Sequence, residues 1–97
     1  MQHLVVLDAR SVIGAAYLKG VNDGIADGNP CLTCSSLDST DPHYAEVVRS
    51  YRYRGESRQQ RLRIPHHAIA FVVSYEIEGQ EAELRPFGFQ PTAPAAD

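Results

Sequence analysis

Residues 44–78 read YAEVVRSYRYRGESRQQRLRIPHHAIAFVVSYEIE, and the period of this stretch decides the fold class. In its last third, Ile69, Phe71, Val73, Tyr75 and Ile77 take alternate positions, with Ala70, Val72, Ser74, Glu76 and Glu78 between them. A period of two in β-branched and aromatic residues is the pattern of a half-buried strand. Tyr44–Arg54 repeats it. Ala45, Val47, Tyr51 and Tyr53 share one side and Glu46, Ser50, Arg52 and Arg54 the other, with Val48 and Arg49 out of pattern. Gly55-Glu56-Ser57 marks a turn, and Gln60–Ile64 resumes an extended run with Leu62 and Ile64 on one side. The stretch predicts a meander of three strands.

Beyond it, Gly79-Gln80 turns the chain, and Glu81–Arg85 can return as a short partner strand closed by Pro86 and Gly88. Towards the start, Leu4–Leu7 is a strand candidate. Ser11–Gly20 fits two forms: Val12, Ile13, Ala16 and Tyr17 share a helical face that Ser11 could cap, while Ile13, Ala15 and Tyr17 alternate as in a strand. Gly14 and Gly20 tilt the choice towards strand, because glycine costs about 1 kcal/mol in a helix interior. Val21–Pro30 reads as a loop, Cys31–Cys34 as a short strand, and Ser35–Pro42 as polar turns. Gln90–Asp97, with Pro91, Pro94 and no large apolar side chain, is expected to form a loose tail after one domain over residues 1–89. The expected architecture is mainly β: a small, strongly bent antiparallel sheet or open barrel of about five strands. One short helix near the N-terminus stays open as an addition.

With 97 residues, 43% hydrophobic and 22% charged, the chain has the composition of one globular core and not of a disordered segment. So short a chain buries only about 60–65% of its unfolded surface, which makes self-association a natural way to add burial. The net charge of −3 does not mark a nucleic-acid binder. The distribution says more than the sum. Six of the nine basic residues are arginines between Arg49 and Arg63.

Alternate residues of a strand share a face, so Arg52 and Arg54 project together, and Arg61 and Arg63 can lie beside them on the next strand. With Arg49 and His66 they form the candidate binding surface. Guanidinium groups offer planar forks for phosphate, and unpaired bases stack on tyrosines such as Tyr51 and Tyr53, which face the other side. The competing account pairs the arginines with Glu46, Glu56, Glu76 or Glu78, each cross-strand pair contributing roughly 0.2–1 kcal/mol.

Cys31-Leu32-Thr33-Cys34 has the spacing of a zinc or redox pair, which His43 and His66 or His67 would have to complete. Two idle thiols are the simpler expectation, with no metal or cofactor. By alternation His67 points inward with Ile69 and Phe71, and His66 is the more exposed. No phosphate-cradling glycine loop, nucleophile elbow or H-E-x-x-H occurs, so no catalytic role is expected. No apolar run approaches the ~20 residues that cross a bilayer. The opening Met1–Asp8 lacks the basic start and long apolar stretch of an export signal, so no membrane association and a cytoplasmic location are expected.

Gly14, Gly20 and Asp23 along the first segments, followed by Ile64-Pro65-His66-His67 and the apolar run Ile69–Val72, resemble the two motifs of the Sm-like proteins, which are small bent barrels. The resemblance spans residues 4–77. The basic-glycine pair usual in the second motif is replaced here by Ile64-Pro65 or His66-His67, at the positions that would contact RNA. The resemblance implies a ring oligomer built by strand-to-strand pairing. The functional expectation is therefore an oligomeric, non-catalytic module binding RNA or another anionic ligand through its arginine face. The alternative is a self-associating interaction or scaffold protein with no nucleic-acid role, contacting through a strand edge with Tyr51 and Tyr53 or Phe87 and Phe89.

Overall fold

The computed structural model describes residues 1–92. It is mainly β, with two antiparallel sheets that leave the barrel open, and two short helices. The strands are β1 (Gln2–Leu7), β2 (Gly24–Ala26), β3 (Asn29–Cys34), β4 (Ser36–Asp38), β5 (Tyr44–Tyr53), β6 (Glu56–Pro65), β7 (Ile69–Tyr75) and β8 (Phe89–Pro91). Helix α1 covers Val12–Lys19 and α2 covers Gln80–Leu84. One sheet runs in the order β7-β1-β3-β2-β8 and the other in the order β4-β5-β6.

Leu4, Val5, Val6 and Leu7 are all fully buried, so β1 shows no alternation. Both faces of its sheet are covered. On one side Val5, Leu7, Leu32 and Cys34 pack against Val47 and Ile64 of the smaller sheet, with Ile13 and Tyr17 of α1 at the margin. On the other, Leu4, Val6, Ala26 and Cys31 pack against Tyr75 and Leu84, with Val73 and Phe89 beside them. Leu84 is the apolar anchor of α2.

Several local expectations are corrected. The stretch 44–78 is not a three-strand meander: β5 and β6 pair over their whole length, but β7 crosses to β1, with Gln2 opposite Tyr75 and Val6 opposite Phe71. A 3-10 turn at His66–Ala68 redirects the chain, held by the His66 N–H donating to the His43 carbonyl at 3.2 Å. That turn also reverses the histidines: His66 is half-buried and His67 exposed. A register shift opposite Val6 and Leu7 splits the alternating set of β7, sending Ile69 to one core and Val73 and Tyr75 to the other.

Glu81–Leu84 coils into α2 instead of returning as a strand, since Gln80-Glu81-Ala82-Glu83-Leu84 are all strong helix formers. Within 21–30 the chain forms the β2–β3 hairpin, turning at Asp27 (φ 51°) and Gly28 (φ 82°), the left-handed pair of a type I′ turn. Within 35–42 it forms β4. Gln90 and Pro91, assigned above to a loose tail, pair with Ile25 and Gly24 as part of β8; residues 93–97 lie outside the described residues.

Within 11–20 the chain is helical: α1 (Val12–Lys19) runs between Ser11 and Gly20 as its caps. The Ser11 Oγ accepts the Gly14 N–H at 2.9 Å and donates to the Asp8 carbonyl at 2.7 Å, which caps α1 against the end of β1. Gly14 is there because a Cβ at this position would fall on the Asp8 carbonyl oxygen. Propensity alone favours Gly14→Ala by about 1 kcal/mol. The packing predicts the opposite sign: a loss of about 1–3 kcal/mol in urea unfolding, as for other overpacked sites.

Candidate functional site

The arginine-rich segment is one long hairpin. Pairing runs from Tyr44 opposite Pro65 to Tyr53 opposite Glu56, and Arg54 (φ 52°) and Gly55 (φ 77°) form a two-residue turn. Such left-handed turns match the twist of the flanking strands. The basal half is core, with Ala45, Val47 and Ile64 buried. From Arg52 to Gln59 every residue is exposed. The distal half is therefore a projecting ribbon with both faces in solvent.

The register separates the candidate residues. Arg52, Arg61 and Arg63 share a face with Glu46, whose carboxylate accepts from Arg61 Nη1 at 2.9 Å and from Arg63 Nε at 3.4 Å. Arg52 donates through Nη2 to the Gly55 carbonyl at 2.8 Å. Arg54 leaves the alternation because it sits in the turn, and its guanidinium lies 5.3 Å from the Tyr53 ring centre. Arg58, on the opposite face, covers the same ring at 5.5 Å and donates to Glu56 at 3.1 Å. Arg63 also lies over Tyr44, at 5.3 Å. Among the described residues no ion pair reaches Arg52 or Arg54, and Glu76 and Glu78, expected partners, pair with none of the arginines.

Arg49 does not join this surface. It is 4% exposed, with Nε donating to Asp23 Oδ2 at 3.1 Å and Nη2 to Asp23 Oδ1, Nη1 donating to Gln60 Oε1 at 2.6 Å, and the guanidinium over Tyr51. The break in alternation at Arg49 noted in the sequence is thus a buried charge on the apolar side of the strand. Its partner, 26 residues upstream in a stretch read as loop, carries no local signal. His66 is also set apart: its Nε2 lies 2.7 Å from the Asp41 carbonyl oxygen, which ties the turn after β6 to the segment before β5.

Cys31 and Cys34 stand three residues apart on a strand, so they face opposite sides and belong to the two separate cores. They cannot meet on one ion with His43 and His66, and among the described residues no group of three His, Cys, Asp or Glu is placed to hold a metal. Burial pushes both thiols up to about 12 from 9.0. One pairing escaped the sequence: His3 Nδ1 and Ser74 Oγ lie 2.8 Å apart across β1 and β7. It is exposed, and no further hydrogen bond orients the ring among the described residues, so it does not point to catalysis.

Two clefts, of about 670 Å³ and 510 Å³, are lined by residues around Asp27 and Phe87 and around Leu84 and Phe89, away from the hairpin, and a smaller one of about 260 Å³ lies between α1 and β6 and includes Gln60 and Leu62 at the hairpin base. No helix among the described residues is long and apolar enough to cross a membrane. Comparison with protein-family models, curated proteins and solved structures found no match to this chain.

Two outcomes follow from these side chains. Removing the carboxylate in Asp23→Ala leaves Arg49 buried and unanswered, which should cost about 3–5 kcal/mol in urea unfolding, whereas Arg61→Ala should stay within about 0.5 kcal/mol. The thiols hold their protons more tightly folded than unfolded, so unfolding releases protons at alkaline pH. Stability should therefore fall as pH rises above about 9, and iodoacetamide should label Cys31 and Cys34 only after unfolding.

Proposed function

We propose that this chain is a non-catalytic binding module that holds a single-stranded nucleic acid along the β5–β6 hairpin. The observation that carries the proposal is the run of exposed arginines along the hairpin, Arg52, Arg61 and Arg63 on one face and Arg54 and Arg58 at Tyr53 nearer the tip, with Glu46 and Glu56 their acidic partners among the described residues. Residues 44–65 hold six arginines and two glutamates, a charge of +4, which leaves −7 for the rest of the chain. A rise of about 3.3 Å per residue sets the turn roughly 16 Å beyond Val48. That is about twice the Debye length of roughly 8 Å at physiological ionic strength, so the acidic body is largely screened at the tip.

Guanidinium groups spread along an exposed ribbon, not gathered at one point, favour a polymer over a small anion. An extended strand can lay successive phosphates on these guanidinium forks, and the Tyr53 ring holds Arg54 and Arg58 ready at the tip. Among the described residues Arg52 and Arg54 make no ion pair and can donate at once; Arg61 and Arg63 share one carboxylate and have donors to spare. Exposed pairs of this kind are worth at most about 1 kcal/mol, so a phosphate can displace them. The Sm-like resemblance would instead put RNA near residues 64–67 of a ring; the hairpin proposal needs neither.

Fluorescence anisotropy with a short labelled RNA of mixed sequence tests this. Binding should weaken steeply with salt, with log K changing by about −0.7 per phosphate contact against log salt. Substituting Arg52 and Arg54 together by alanine should flatten the slope by about 1.4 and weaken binding at low salt at least ten-fold. Arg10→Ala, far along the chain, should change nothing. Absence of salt-sensitive binding, or equal binding by the double variant, overturns the proposal.

A further inference from the structure

Two open sheets leave four strand edges, and unpaired edge groups invite another strand unless something guards them. The described structure guards three. Edge strand β8 is three residues long and ends in Pro91, and β4 is three residues long. Strand β6 is ten residues long but places Arg58, Arg61 and Arg63 along its edge, where self-pairing would set like charges together. Strand β7 differs. Ile69–Tyr75 has seven residues, pairs among the described residues with β1 alone, and contains no charge, proline or glycine. The register shift touches only its start, and Phe71–Tyr75 stay in regular register with Val6–Gln2.

Apolar side chains surround this edge. Phe71 is 38% exposed and Val72 37%, and as neighbours on a strand they face opposite sides of the sheet. Phe87 stacks on Phe71 with ring centres 5.4 Å apart and is itself 39% exposed, and Ile77, just past the strand, is 61% exposed.

We infer that β7 pairs antiparallel with β7 of a second copy of this chain, joining two five-stranded sheets into one of ten strands across a two-fold axis. A two-fold contact sets the same patch against itself, which requires that no like charges oppose one another; an uncharged strand meets that condition and the arginine-bearing β6 does not. Pairing centred near Val72 lets the ladder extend over the whole strand and covers Phe71 and Val72 on their separate faces. The dimer carries two arginine hairpins, so its ligand is held at two points. It does not depend on the nucleic-acid proposal: either can fail while the other stands.

Sedimentation velocity of the full chain across a hundred-fold range of concentration tests the inference. The expected result is a dimer whose dissociation constant rises at least ten-fold in Val72→Lys and is unchanged in Gln59→Lys, the same charge added to the guarded edge. A monomer throughout the range overturns it, as does a dimer indifferent to Val72→Lys. If circular dichroism shows that variant unfolded, amide exchange of the unaltered protein decides. Protection of residues 69–75 that grows with protein concentration supports the dimer, and protection that does not grow overturns it.

Discussion

An arginine set among core side chains must bring a counter-charge with it, because a lone buried ion costs more than its packing returns. Arg49 finds that charge in Asp23, and the rest of the molecule is arranged around the pair. The Asp23 carboxylate also accepts the Thr33 N–H at 2.9 Å, its backbone N–H donates to the Cys31 carbonyl at 2.8 Å, and its carbonyl accepts from Thr92 at 3.0 Å. One residue thus joins β3, the chain after β8 and the middle of β5. The smaller sheet is fastened to the larger one by charge as well as by Val47 and Ile64.

That fastening gives the arginine hairpin a fixed root. A two-stranded ribbon is at best marginally stable alone in water. Here its basal half is buried against β1 and β3, Arg49 and Gln60 lock the crossing point, and only the outer half stands free. The same ten-residue strand therefore serves the core at one end and presents guanidinium groups at the other. The tyrosines change role along it in the same way: Tyr51 supports the buried Arg49, while Tyr53 carries Arg54 and Arg58 in solvent.

Period-two patterning made β5, β6 and β7 legible as strands, and the clustering of arginines made the hairpin legible as a surface. Patterning does not say which strand lies next to which. β7 prefers β1 because both are apolar and can share two cores, a fact held by residues some 70 positions apart. Gly14 pointed to strand because its cost to a helix follows from residue type alone, whereas its reason, the Asp8 carbonyl, depends on how the chain bends between β1 and α1. The Asp27-Gly28 turn was readable in principle, since that dipeptide suits a type I′ turn, but the polar residues around it masked two short strands. Arg49 was visible as an irregularity; its meaning required Asp23.

The pairing of β1 with β7 has a consequence for how the protein is made. Strand β1 cannot complete its ladder until Tyr75, more than seventy positions further on, has left the ribosome, and the second core waits for Leu84. Contacts so distant in sequence are slow to form. Through that interval Leu4–Leu7 stay without their final cover, so an apolar segment made before β7 and Leu84 must wait for both to find its place.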